Sequence, residues 1–306
     1  MSQVVAPSSR AWLVNAFVTV VLWGVWGAFS GLSPQHGFPE TLVYCVWALT
    51  MIPPALVVLA QAGWKLDRSP RAIGYGLAIG LLGAGGQMVL FYAVARGPAY
   101  LIFPIISLSP VVTIALSFLL MRERTGKLGA FGIVLALLAL PTFDFAPGSG
   151  GGASAAWLLP ALVVMLCWGV QAYFMKAANH IMSAESIFVY MTLTGLVLIP
   201  AAWAMTDFAR PINWGLDGPG LAALIQLLNA IGALTLVFAF RYGKAIIVAP
   251  LANAGAPLAT ALISLVVLGV MPGPLKTVGI LLALAASLLL AIEPDAKDDE
   301  MVPETA

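Results

Sequence analysis

Ten apolar runs follow one another along this chain, at residues 12–31, 41–61, 72–95, 99–121, 128–142, 156–176, 186–205, 220–240, 245–270 and 275–292. A helix needs roughly 20 apolar residues to cross the hydrocarbon core of a bilayer. All but the fifth run, which is short, approach that length. Composition agrees: the chain is 61% apolar and 9% charged, with a mean hydropathy of +1.00. Soluble domains hold about 45–50% apolar and about 25% charged residues. The expected fold is an all-α integral membrane protein with ten transmembrane helices.

The fourth and ninth runs are altered copies of each other. Gly97 and Pro104 recur as Gly243 and Pro250, 146 positions on, and Pro110, Thr113 and Ser117 recur as Pro257, Thr260 and Ser264, 147 positions on. Each copy carries two internal prolines. A proline removes one backbone N–H and leaves the carbonyl four residues earlier without its usual partner. In lipid an orphaned carbonyl costs on the order of several kcal/mol, so such helices face protein or water rather than acyl chains. Pro104, Pro110, Pro250 and Pro257 therefore read as helix breaks or hinges. Broken hydrophobic segments at corresponding places in two halves point to the substrate site of a transporter.

Further echoes run in order through both halves. Trp23–Gly24 and Phe29 return as Trp168–Gly169 and Phe174, Val43–Tyr44 and Pro54–Ala55 as Val189–Tyr190 and Pro200–Ala201, and Gly132 as Gly279. The ordered set predicts a five-helix repeat at 1–147, a glycine-rich connector at 148–155, a second repeat at 156–292 and an acidic tail at 293–306. An odd number of helices per repeat forces the two copies into opposite orientations. With the N-terminus in the cytoplasm, eleven of the 14 Lys and Arg residues fall inside and three outside, as the positive-inside rule requires. Both termini are then cytoplasmic. Inverted repeats give alternating access a physical basis, because two similar halves can exchange arrangements about one central site.

Cys45 and Cys167 both lie within apolar runs, so no disulfide framework is expected and they read as small buried hydrophobes. The first run is full length and lacks a small-residue exit, so it should remain as a helix rather than be cleaved. The absence of an N-x-S/T sequon suits a bacterial inner membrane. An intramembrane enzyme would need facing carboxylates or a motif such as H-E-x-x-H, yet the only histidines are His36 and His180, at helix ends or loops. A channel would call for charged rings or a carbonyl filter sequence. A channel or scaffold is the alternative to a transporter, and an enzyme a more distant one.

These residues resemble the drug/metabolite transporter superfamily, and in particular its ten-helix EamA-type members. The likeness rests on the Trp–Gly pair early in each half, on Gly97 and Gly243 before the proline helices, on the proline pairs, and on R-E-R-T-x-x-x-x-G ending at Gly129. It covers roughly residues 10 to 292. The resemblance implies a central cavity lined by helices one, three, four, six, eight and nine. Halves in that family commonly end their fourth helix with a glutamate; here Glu123 fills the first copy and Val270 stands in the second.

Within those helices the expected solute-binding residues are Trp23, Trp26, Gln87, Phe91, Ser107, Trp168, Gln171, Gln226, Asn229 and Asn253. Some have a plainer reading. Trp23 and Trp26 can belong to an interfacial belt, and Gln87 can serve an interhelical hydrogen bond. Ser109 is a further polar group. The lining is aromatic, amide-rich and uncharged, which suits a small neutral or zwitterionic solute better than a cation or a phosphate. Lys176 and Arg241 read as positive-inside anchors, or as a greeting for an anion. No carboxylate lies at mid-span, so facilitated transport or exchange is expected rather than proton coupling. The expected partners are the solute and the lipid bilayer, with a homodimer compatible; no cofactor, metal or nucleic acid is implied.

Overall fold

The computed structural model describes residues 10–94, 105–106, 108–144, 157–267 and 273–292. Regular structure among the described residues is helical throughout. We label α1 (Ala11–Phe29), α2 (Glu40–Gln61), α3 (Pro70–Val94), α4 (Ser109–Leu120), α5 (Lys127–Asp144), α6 (Leu158–Ala178), α7 (Ala184–Ala204), α8 (Leu221–Tyr242), α9 (Ala245–Val267) and α10 (Pro274–Ala291). Among the described residues six helical spans are long and apolar enough to cross a membrane, those of α1, α2, α3, α6, α7 and α8; shorter apolar helices come from α4, α5, α9 and α10. The fifth run makes a longer helix than its apolar stretch implied, 18 residues from Lys127 to Asp144.

Proline marks the interruptions. In α2 the ladder stops at Met51 and restarts over Ile52–Gln61, with Pro53 and Pro54 in the new first turn. In α7 it stops at Leu198 and restarts over Ile199–Ala204 with Pro200 in the same place. A proline costs nothing there, because the first-turn N–H groups have no intrahelical partner anyway.

The two proline helices, expected to be alike, differ. Leu108 forms a turn and α4 begins afresh at Ser109, so Pro110 sits in a first turn. By contrast α9 runs unbroken through Pro250 and Pro257. Pro250, at its sixth residue, removes only the N–H that would reach the carbonyl of Ile246. Pro104 lies outside the described residues.

Each first helix of a half is embedded in the other half. α1 lies against α8 and α9, and α6 lies against α3 and α4; α5 meets α10, while α2 and α3 meet α7. Glycines make these approaches close. A Cβ on Gly24 would collide with Ala259 of α9, and one on Gly169 would lie 2.5 Å from Val112 of α4 and 2.7 Å from the Ser109 carbonyl. Small residues at helix crossings let backbones meet where no hydrophobic force drives association. The opposite face of α1 carries Val14, Phe17 and Val21, all exposed, as a lipid-facing stripe requires.

Candidate solute site

Two Trp–Gly pairs are seated in matching sockets. Trp23 Nε1 donates to the Asn229 carbonyl of α8 at 3.2 Å, and the indole lies across Gly232, where no Cβ would fit. Trp168 Nε1 donates to the Gly83 carbonyl of α3 at 3.3 Å, and its indole lies across Gly86. Gly83 and Gly86 stand 146 positions before Asn229 and Gly232. The neighbouring glycines are held in the same way: Thr260 Oγ1 donates to the Gly24 carbonyl at 3.0 Å, and Thr113 Oγ1 to the Gly169 carbonyl at 2.9 Å. The two threonines were visible in the sequence only as a repeated pair. Nothing in their spacing told which carbonyl each would hold.

Beside the first socket lies an amide cluster. Trp26 Nε1 donates to Gln226 Oε1 at 3.1 Å, and Asn229 Nδ2 donates to the same oxygen at 3.4 Å. Gln226 is buried. With its oxygen engaged twice, what Gln226 can offer a solute is its amide nitrogen, while Asn229 can offer its side-chain carbonyl. Thr19, one turn before Trp23, meets Thr235 Oγ1 at 2.8 Å and the Gly232 carbonyl at 3.2 Å. Thr19, Trp23 and Trp26 thus lie on a face of α1 that is turned to α8.

Around the second socket, Gln171 lies against Gly83, so that a Cβ there would meet its amide nitrogen. Gln87 is half-buried one residue after Gly86. Asn253 spends its Nδ2 on the Ala249 carbonyl one turn back, at 2.9 Å, which leaves its Oδ1 as the group to offer. Ser109 and Pro250 are buried. Among the described residues no hydrogen bond joins the amides of the first socket to those of the second. Ser107 and the side chains of Phe91 and Pro257 lie outside the described residues.

One charged residue departs from its expected place. Lys176, read as an anchor among headgroups, is 9% exposed, and its Nζ donates to the Gly243 carbonyl at 2.7 Å. Arg241 does lie at the surface, paired with Glu185 at 3.4 Å. Between α3 and α6 a groove of about 440 Å³ is lined by Met88, Val89, Tyr92, Leu159, Pro160, Val163 and Met205. Tyr92 is the one lining residue with a polar group, and the otherwise apolar groove suits an acyl chain rather than a polar solute. Among the described residues no cluster of His, Cys, Asp and Glu could hold a metal ion.

Two segments, residues 10–141 and 155–292, match the EamA-like transporter family. The chain belongs to that family. Each EamA-like segment contains one Trp–Gly pair and one proline helix, so the sockets join residues of one segment to residues of the other. That family is one of membrane-embedded transporters. The pseudopaline exporter CntI of Pseudomonas aeruginosa is 25% identical over 193 residues, covering 63% of this chain and 66% of that protein. The uncharacterized protein MJ1333.1 of Methanocaldococcus jannaschii is 30% identical over 85 residues, covering 28% of this chain and 62% of that protein. The matches span just under two thirds of the length of each relative. A solved crystal structure of a protein superposes with a TM-score of 0.75 at 17% identity, over 92% of this chain and 96% of that one. At that identity the likeness is one of fold.

Proposed function

We propose that the protein is a ten-helix secondary transporter whose two five-helix repeats, 1–147 and 156–292, are inverted about a central site. It moves a small neutral or zwitterionic metabolite, amino acid-like or related, across a bacterial inner membrane by alternating access, as an exporter or exchanger. Both termini and the tail at 293–306 are cytoplasmic, and the connector at 148–155 is outside. One observation carries this reading: Trp23 on the Asn229 carbonyl and Trp168 on the Gly83 carbonyl are the same contact made twice, with the halves exchanged. Two equivalent sockets are what two interchangeable arrangements need. The exporter relative supports outward movement. Trp26, Gln226, Asn229, Gln171, Gln87 and Asn253 bring donors and acceptors without net charge, and with Trp23 and Trp168 they form the site. By sequence position Phe91, Ser107 and Pro104 belong to the same lining, Pro110 opens α4, and Pro250 and Pro257 each leave one carbonyl of α9 without its ladder bond.

The test is counterflow in proteoliposomes against a panel of amino acids, sugars, nucleosides and organic anions. Saturable exchange confined to neutral or zwitterionic solutes is expected. Preference for a cation or a phosphate ester would refute the assignment, and ohmic conductance without saturation would favour the channel instead. With the solute in hand, an imposed pH gradient should drive no uphill accumulation once the membrane potential is clamped.

A further inference from the structure

The end of α4 reaches across to the start of α9. Arg122 adopts a left-handed backbone conformation, φ +56°, which an L-residue other than glycine adopts only at a cost. That turn reverses the chain and aims Glu123 at α9, where Oε1 accepts from Ala245 N at 3.2 Å and Oε2 from Ile246 N at 3.0 Å. A carboxylate on the free N–H groups of a helix N-terminus is favoured by both hydrogen bonding and the helix dipole. In return Lys244 Nζ donates to the Arg124 carbonyl at 2.7 Å. The carbonyl of the preceding residue, Gly243, is the one that holds buried Lys176 of α6. Residues 243–246 are thus gripped by three charged side-chain contacts, from the α4 tail, from α6 and from Lys244 itself.

The same positions in the other half carry none of these charges. Val270 and Met271 correspond to Glu123 and Arg124, Pro98 to Lys244 and Gly31 to Lys176. By sequence, only one of the two halves carries the charges that such a clasp uses. A strained turn persists only where its surroundings over-determine it, and here it serves to place Glu123.

We propose that Glu123, Lys244 and Lys176 form a one-sided latch that closes the transporter to the cytoplasm and biases it toward the outward-facing arrangement. This rests on the topology and alternating access proposed above. Opening to the cytoplasm requires Glu123 to leave α9, and no equivalent bond has to form on the outer face in exchange.

The experiment needs no solute. A Gln171→Cys reporter in a Cys45→Ala, Cys167→Ala background is labelled with a membrane-impermeant maleimide in right-side-out and in inverted vesicles. Losing even one charge-assisted hydrogen bond shifts an equilibrium by about tenfold. Glu123→Ala and Lys176→Met should each speed labelling in inverted vesicles by about that factor and slow it in right-side-out ones, while Val270→Ala leaves both rates unchanged. Where Glu123→Ala lacks a cooperative melting transition, Lys244→Ala takes its place with the same expectation. Unchanged labelling in folded variants would overturn the latch. A Ser69→Cys control labelled in right-side-out vesicles would overturn the topology instead, and the cytoplasmic assignment of the latch with it.

Discussion

Two adjacent glycines of α3 separate the socket from its helix. A Cβ on Gly86 would lie 2.7 Å from Trp168 Nε1 and 2.9 Å from Cδ1, whereas a Cβ on Gly85 would meet nothing within 4 Å. Carbon and nitrogen rest at about 3.5 Å, so Gly86→Ala must push the indole away by most of an ångström. The bond from Trp168 to the Gly83 carbonyl, 3.3 Å long, does not survive such a shift. Its loss costs about 1 kcal/mol and the overpacking about 1–3 kcal/mol. Replacing glycine in a helix returns about 0.5–1 kcal/mol. The net is a destabilisation of about 2 kcal/mol for Gly86→Ala, against a gain of about 0.5–1 kcal/mol for Gly85→Ala. At about 2 °C per kcal/mol for a chain of this length, melting in detergent followed by circular dichroism should fall by about 4 °C in the first variant. It should rise by about 1–2 °C in the second. Gly232→Ala, under Trp23, should behave as Gly86→Ala does. Equal shifts of one sign for Gly85→Ala and Gly86→Ala would show that the indole does not occupy the socket.

Three further outcomes are expected. Asp67 Oδ2 accepts from the backbone N–H of Ser183 and from the hydroxyls of Ser183 and Ser186, and the Ser183 backbone bond above all holds its carboxyl below the usual aspartate range. Its contribution is complete above the unfolded pKa, about 3.9, and is lost as the pH falls through the lower folded value; Asp67→Asn should therefore melt about 1–2 °C below the parent at pH 7, the gap closing below about pH 4. Gln226→Leu strands the Trp26 N–H and should lower the melting temperature more than the double variant Gln226→Leu, Trp26→Phe does; equal losses would mean the bond is idle. Residues 1–150 and 151–306 expressed separately should each fail to give a folded protein, while co-expression restores one that co-purifies; a monodisperse folded half would contradict the exchanged sockets.

Much of this was legible in the sequence. Continuous apolar runs announce membrane helices because the bilayer leaves few alternatives, and the echoes of Trp23, Pro104 and Thr113 announced a repeat. What spacing could not reveal was partnership. Thr113 and Thr260 were equivalent on paper, but each holds the glycine of the other half's first helix, a relation that exists only after the chain has folded back on itself. Lys176 was misjudged for a similar reason. A lysine at the end of an apolar run ordinarily snorkels to the headgroups, and only the carbonyl of Gly243, 67 residues away, gives the ammonium a buried partner. The unbroken course of α9 was also hidden, since two prolines in a run do not say whether the helix stops or merely forgoes two hydrogen bonds.

The exchanged sockets also limit which motions are cheap. Thr113 is buried, and the Gly24 and Gly169 backbones lie where no side chain would fit. Separating Thr113, Thr260, Trp23 and Trp168 from their carbonyls would leave four donors without these partners, at on the order of 1–3 kcal/mol for each bond lost. A rearrangement that tears all four therefore costs on the order of 4–12 kcal/mol, whereas one that pivots about them costs none of it. The bonds lie in two symmetric pairs, so they mark two pivots, one for each half. Away from them the backbone yields where its ladder is already interrupted, at Leu108 before α4, at Met51 in α2 and at Leu198 in α7. Flexing there sacrifices fewer ladder bonds than elsewhere, because Pro53, Pro54, Pro110 and Pro200 have no N–H to give. Rigid sockets with movable helix ends are what the proposed alternating access requires, two faces opening in turn while the indoles and amides between them keep their places.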